Sequence, residues 1–144
     1  VLVCGKDHPF MEREKLYPSD LKDQEFVMRE KGSGTRALFE NYLEKHGVRI
    51  KVVFEESSPA AILRTVQINQ CLAVLSVGLI ETEVKEGRLK AFAQEEQEWN
   101  RKFSFVYHKD KFLTVGIKEL ERIVKNYGER DVLAKVPVGS LMNR

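Results

Sequence analysis

Short apolar runs alternate with segments of helical periodicity along the first hundred residues of the chain. Such runs predict buried strands, and apolar residues that recur every three or four positions predict helices with one buried face. We predict strands at 2–4, 26–29, 52–55, 72–75 and 89–92, and helices at 35–46, 60–68 and 78–85, the last closed by Gly87. This alternation is typical of an α/β domain with a doubly wound, mostly parallel mixed sheet and helices on both faces.

Small polar residues stand at two of the predicted strand-to-helix junctions. Gly32-Ser33-Gly34-Thr35-Arg36 precedes one helix, and Ser57-Ser58-Pro59 opens the next. The first N–H groups of a helix lack partners and, with the helix dipole, attract a carboxylate or another anion. In a parallel sheet both helix starts face the carboxyl edge, where open α/β sheets bind ligands. The alternative is that these hydroxyls only cap their helices, and the residues alone leave both interpretations open.

The pattern changes after Trp99. Phe103, Phe105 and Tyr107 alternate with other residues and predict a further strand. Thr114 is a candidate cap for a final helix over 115–127, whose apolar stripe includes Ile117, Leu120 and Val124. No later strand in the chain offers that stripe a surface, so we expect the helix to pack on something other than the main sheet.

Composition indicates one soluble globular domain. The chain has 144 residues, 42% hydrophobic and 32% charged, with a net charge of +2. The charges are mixed and form no basic stripe of the kind that binds nucleic acid. No apolar run approaches the ~20 residues of a membrane helix, and the apolar start is too short for the core of a signal peptide, which favours a cytoplasmic location.

Side chains that could carry catalysis or bind a metal are scattered. Cys4 and Cys71 lie far apart in apolar contexts, which favours two buried free thiols over a disulfide or a nucleophile. His8, His46 and His108 have no ligand spacing, and there is no nucleophile elbow or phosphate-binding loop. We therefore expect no metal, no cofactor and no enzyme activity.

A set of short motifs, taken together, resembles the pattern of a known protein family. In chain order the set comprises His8-Pro9-Phe10, Asp20-Leu21, Arg29-Glu30, Gly32-Ser33-Gly34-Thr35-Arg36, Ser57-Ser58-Pro59-Ala60-Ala61-Ile62, Val66 and Glu86-Gly87-Arg88-Leu89. Their order and spacing resemble the effector-binding part of LysR-type transcriptional regulators over residues 1–127. The resemblance implies a periplasmic-binding-protein-like fold of type 2, in which two lobes hold an inducer between them.

The resemblance also implies a division of the chain. Residues 1–5 would be a hinge strand, 6–100 the second effector-binding lobe, and 101–128 the return hinge strand with a helix of the first lobe. Residues 129–144 carry no periodicity, and we expect a tail that can be disordered. Most of the first lobe and the DNA-binding winged helix-turn-helix would be absent.

Site residues carried over from the family fall on the two junctions. Ser33, Gly34, Thr35 and Arg36 would line the second-lobe side of the effector pocket, and Ser57, Ser58 and Pro59 the adjacent wall. Arg36 has an alternative interpretation as a structural residue that pairs with Glu40 at i,i+4, and Thr35 one as a cap. Asn69, Gln70 and Cys71 replace a Gly-x-Gly of the family, and their side chains could narrow the pocket.

Relatives in the family pair head to tail through the helix matching 35–46 and the strand matching 52–55. The resemblance therefore implies a homodimer interface that includes Leu38, Phe39, Tyr42 and Val53. The alternative is that the apolar side of this helix is buried entirely on its own sheet.

These observations predict the ligand-sensing domain of a transcriptional regulator. Its effector would be a small molecule, and helix starts favour an organic acid. DNA binding would come only from the missing helix-turn-helix. A solute-binding protein of a transport system is the alternative with the same fold, and an enzyme is disfavoured because no nucleophile–base constellation is present.

Overall fold

A seven-stranded sheet with helices on both faces is the core of the computed structural model, which describes residues 1–96, 98–99, 103–128 and 133–143. The strands are β1 (Leu2–Gly5), β2 (Lys15–Leu16), β3 (Glu25–Arg29), β4 (Lys51–Glu56), β5 (Leu72–Val74), β6 (Leu89–Gln94) and β7 (Val138–Leu141). The α-helices are α1 (Gly34–Lys45), α2 (Pro59–Ile68), α3 (Glu81–Lys85) and α4 (Val115–Gly128). Short 3-10 helices span Pro9–Glu12, Pro18–Leu21, Val77–Leu79 and Leu133–Lys135.

The strands follow the order β2-β7-β6-β1-β5-β3-β4 across the sheet. β1 runs antiparallel to both of its neighbours, β5 and β6, and every other neighbouring pair is parallel. The carboxyl ends of β3, β4, β5 and β6 consequently meet at one side, which we call the carboxyl edge. The prediction of a mostly parallel mixed sheet is confirmed, and residues 1–5 contribute its interior antiparallel strand.

Each face of the sheet has its own hydrophobic core. Phe39, Tyr42 and Leu43 of α1 pack with Phe26 and Leu72 on one face. On the other face α2 contributes Ile62 and Val66, and α3 contributes Val84. Helices on both faces leave the central strands no contact with solvent, which explains their continuous apolar runs.

The end of the chain corrects the expectation of a disordered tail. Residues 138–141 form β7, inserted between β2 and β6. Gly139 lies opposite Phe92, and a Cβ there would lie 2.7 Å from the Phe92 ring and 2.8 Å from the carbonyl oxygen of Glu14. A four-residue strand with an obligatory glycine has too little apolar alternation to be recognised by periodicity.

The strand predicted around Phe103, Phe105 and Tyr107 is not formed. Residues 103–108 have no regular secondary structure and are all exposed, and the exposed fraction of their large apolar side chains runs from 39% for Phe105 to 87% for Phe103. A strand needs a neighbour to pair its backbone groups, and β7 and β1 already fill both sides of β6.

α4 matches the predicted final helix, and the Thr114 hydroxyl accepts a hydrogen bond from the Ile117 N–H at 3.4 Å, as expected of a cap. Its apolar stripe stays exposed, with Leu120 49%, Ile123 51% and Val124 43% accessible. Among the described residues, α4 does not pack across the sheet.

Within the described ranges, the helices are too short or too polar for any of them to traverse a lipid bilayer.

Candidate functional site

The two predicted strand-to-helix junctions, at residues 32–36 and 57–59, lie side by side at the carboxyl edge. β3 and β4 pair in parallel, with Arg29 opposite Glu56, so the loops that follow them leave the sheet side by side. α1 begins after the first loop and α2 after the second, on opposite faces. Ser76, which follows β5, is exposed at the same edge and makes no capping hydrogen bond.

The start of α1 offers hydrogen-bonding groups that the helix itself does not use. Ser33 occupies the N-cap position with extended backbone, but its hydroxyl makes no capping hydrogen bond. The preceding turn is closed by the Ser33 N–H, which donates to the Glu30 carbonyl at 3.1 Å, and Gly32 adopts a left-handed φ of +93°. Gly34 is exposed and Thr35 half-buried. Capping therefore does not explain why a hydroxyl stands at position 33.

The start of α2 has a different arrangement. The Ser58 hydroxyl accepts a hydrogen bond from the Ala61 N–H at 3.4 Å, and Pro59 occupies the first helical turn, where its missing N–H costs nothing. Ser57 and Ser58 are exposed and Pro59 is half-buried. Ser58 therefore caps α2, whereas Ser57 is exposed to solvent at the carboxyl edge.

Arg36 is engaged by two carboxylates. Its Nε donates to Glu40 Oε1 at 2.7 Å, while Nη1 donates to Glu55 Oε2 at 2.6 Å and to the Arg29 carbonyl at 2.8 Å. The side chain is only 10% exposed. The hydrogen bonds to Glu40 and then Glu55 raise the pKa of Arg36, so the guanidinium is permanently charged. The pair with Glu40 that the alternative interpretation predicts is formed, and Glu55 is a partner that the sequence did not suggest.

The apolar side of α1 bears on the expected subunit interface. Phe39 is fully buried and Tyr42 2% exposed, both packed on their own sheet. Phe39 is tilted against Phe26 and Tyr42 is stacked on Phe39, so for these two side chains the structure favours the alternative interpretation, burial on their own sheet. Leu38 is half-buried and Val53 is 40% exposed, so these two remain accessible.

The residues that the resemblance places at the family's Gly-x-Gly lie at the opposite edge of the sheet. Asn69, Gln70 and Cys71 precede β5, whereas the candidate site lies beyond the carboxyl ends of the strands. Asn69 and Gln70 help to line a separate cavity of about 110 Å³ with Asp7, His8 and Gln67. Cys71 is buried in the core. These substitutions thus do not narrow the space between the two helix starts.

The buried titratable groups have structural surroundings. Cys4 and Cys71 are free and buried, as predicted, and burial raises the pKa of the Cys4 thiol to about 11. His8 Nδ1 accepts a hydrogen bond from the Phe10 N–H at 3.0 Å, and burial lowers the pKa of that imidazole. Among the described residues, no group of three or more His, Cys, Asp or Glu side chains could hold a metal ion.

An aromatic cluster lies over α1, and no pattern in the sequence predicted it. Trp99 packs edge-on against Phe39 at 5.2 Å and Tyr42 at 5.0 Å between ring centroids, and Tyr42 lies 4.5 Å from His46. The neighbouring Glu98 pairs with Lys45 at 2.5 Å. These contacts hold the segment after β6 against the helix.

The family model described as LysR substrate binding domain matches residues 1–128. The HTH-type transcriptional regulator CbbR of Xanthobacter flavus is 33% identical over 141 residues, which cover 96% of this chain and 42% of that protein. The RuBisCO operon transcriptional regulator of Acidithiobacillus ferrooxidans is 38% identical over 89 residues, covering 62% of this chain and 29% of the relative.

A solved structure has a similar fold. The regulatory domain of CcmR from Synechocystis PCC6803, in complex with 2-PG, has a TM-score of 0.74 and 25% identity, covering 91% of this chain and 63% of that one. The chain thus spans less than half the length of the two curated relatives.

Proposed function

Because this chain belongs to the LysR substrate-binding-domain family, we propose that it is the ligand-sensing domain of a LysR-type transcriptional regulator. It binds a small organic acid at the carboxyl edge, where α1 and α2 begin. The relatives described above are transcriptional regulators, which favours this function over solute transport and over catalysis. The observation that carries the effector site is the Ser33 hydroxyl, which stands at the start of α1 without serving as its cap.

The proposed effector residues differ in how they contribute. Ser33 supplies a hydroxyl, and Gly34 and Thr35 supply backbone N–H groups at the positive end of the α1 dipole. Ser57 and Ser58 present exposed hydroxyls from the α2 side, although Ser58 is also a cap, and Pro59 forms the wall beside them. Arg36 belongs to the pocket by position, but two carboxylates already neutralise it.

The family relationship extends the proposal to the whole protein. The second lobe, which the resemblance assigns to residues 6–100, also includes β1 and β7 because both lie in its sheet, and α4 packs on a first lobe. DNA is bound by a helix-turn-helix domain outside this chain, in the cytoplasm. A second copy associates through the accessible Leu38 and Val53.

Titration of the ¹⁵N-labelled chain with 2-PG, followed by amide chemical shifts, tests the effector site. We expect weak, saturable shifts at Gly34 and Thr35 and at the first residues of α2, because one lobe supplies only half of the contacts. Ser33→Ala should weaken binding about five- to tenfold, as expected for the loss of one hydrogen bond to an anion.

Ser19→Ala is the matched control, since Ser19 is an exposed serine of the Pro18–Leu21 turn ahead of β3, at the far edge of the sheet. It should bind 2-PG like the wild type. Shifts confined to residues away from the carboxyl edge, or equal affinity of the wild type and Ser33→Ala, would contradict the proposed site.

A further inference from the structure

Arg36 joins the helix α1 and the strands β3 and β4 by hydrogen bonds. Its guanidinium, from the first turn of α1, reaches the last residue of β3 through the Arg29 carbonyl and the outer strand β4 through Glu55. A third bond, to Glu40, returns to α1 one turn further on. The Arg36 side chain is only 10% exposed, whereas its partners Glu40 and Glu55 are 53% and 49% exposed.

The local charges argue against a direct role for Arg36 in holding an anion. One guanidinium faces two carboxylates, and its Nε and Nη1 donors point to protein oxygens. The junction therefore has no surplus positive charge for an effector. An effector that recruited Arg36 would first have to displace Glu55 or Glu40.

β4 is the element most dependent on this junction. It is the outermost strand and pairs only with β3, and the pairing is irregular between Phe26 and Val27. Val52, Val53 and Phe54 are 48%, 40% and 44% exposed, so both faces of the strand are only partly covered. With little packing to hold it, β4 relies on backbone pairing and on contacts such as Glu55 with Arg36.

We propose that Arg36 is a positioning residue that couples effector occupancy at the start of α1 to the order of edge strand β4. This inference rests on the proposed function for its ligand. The hydrogen bonds of Arg36 to Glu55 and to the Arg29 carbonyl, which we call the clamp on β4, are present without any effector. By holding the end of β3, the base of the Ser33 turn and Glu55 in one arrangement, Arg36 makes the turn and the strand move together. An effector that fixes the turn therefore also fixes β4 and the face that β4 exposes.

Hydrogen exchange of the β4 amides tests the clamp without any effector. Arg36→Gln and Glu55→Gln should each speed exchange over Lys51–Glu56 about three- to fivefold. Glu40→Gln is the matched control, because it removes a carboxylate from the same guanidinium without touching β4, and it should change exchange less than twofold. Arg36→Lys keeps the charge and should restore part of the protection.

Binding of 2-PG to the same variants tests the coupling. If Arg36 positions the turn, Glu55→Gln should bind about threefold more weakly than wild type, and 2-PG should slow β4 exchange only where Glu55 is present. If Arg36 is itself an effector ligand, freeing it in Glu55→Gln should tighten binding, which would overturn the inference.

The two proposals can fail separately. A wild-type chain that shows no binding of 2-PG or of inorganic phosphate at the α1 start would refute the anion site. In that event the exchange comparison still decides the clamp, since equal β4 exchange in wild type, Glu55→Gln and Glu40→Gln would refute it.

Discussion

Gly139→Ala should strongly weaken the docking of β7, the strand at the end of the chain. The new Cβ would lie 2.8 Å from the Glu14 carbonyl oxygen and 2.7 Å from the Phe92 ring, whereas ordinary contact begins at 3.4 Å. The backbone neighbour would have to move by about 0.6 Å, and the Ser140 N–H to Glu14 bond of 2.9 Å lies beside it. Overpacking of a filled core costs about 1–3 kcal/mol, and we expect the upper half of that range because one of the obstructing atoms is backbone.

Urea unfolding followed by circular dichroism measures this loss, and hydrogen exchange over Val138–Leu141 shows whether β7 detaches first. Gly78→Ala is the control, because a Cβ at Gly78 meets nothing within 4 Å. It should change the free energy of unfolding by less than about 0.5 kcal/mol. If Gly139→Ala is as stable as Gly78→Ala and keeps its β7 protection, β7 does not occupy the position between β2 and β6 described here.

Two further predictions concern the helix starts and a buried thiol. Ser58→Ala should lower the free energy of unfolding by about 1 kcal/mol because it removes a cap, whereas Ser33→Ala should lower it by less than about 0.5 kcal/mol; urea titrations of both compare them directly. Burial raises the pKa of Cys4 from 9.0 to about 11, so the unfolded thiol ionises first and stability should fall as pH rises from 9 to 11. Cys4→Ala should remove that part of the decline, and an identical pH profile in the variant would show that the thiol does not contribute.

Local signals in the sequence were sufficient for the elements that build the site. The apolar runs and caps place β3, α1, β4 and α2 close to their observed bounds, because each carries its own periodicity and its own start signal. The same signals located the junctions at Ser33 and Ser58. Nothing local reveals that β1 runs antiparallel, because strand direction depends on which neighbours it meets.

Long-range contacts account for what the sequence did not reveal. Arg36 and Glu40 are one helical turn apart, so their pairing could be anticipated, but Glu55 is nineteen residues from Arg36 and only strand pairing brings it near. β7 is likewise defined by its partners β2 and β6 and not by its own four residues. The helical periodicity alone left Phe39 and Tyr42 as candidates for a subunit interface, and only the tertiary packing shows that they belong to the core.

The aromatic cluster over α1 provides an intrinsic fluorescent probe of the segment that follows β6. Trp99 is the single tryptophan of the sequence, and the indole rests on Phe39 and Tyr42 at the end of the segment that follows β6. Its Nε1, the Tyr42 hydroxyl and His46 Nε2 are buried and find no hydrogen-bond partner among the described residues. Emission from Trp99 therefore reports whether that segment is seated on the helix, and a red shift with faster quenching by acrylamide would reveal its release without any label.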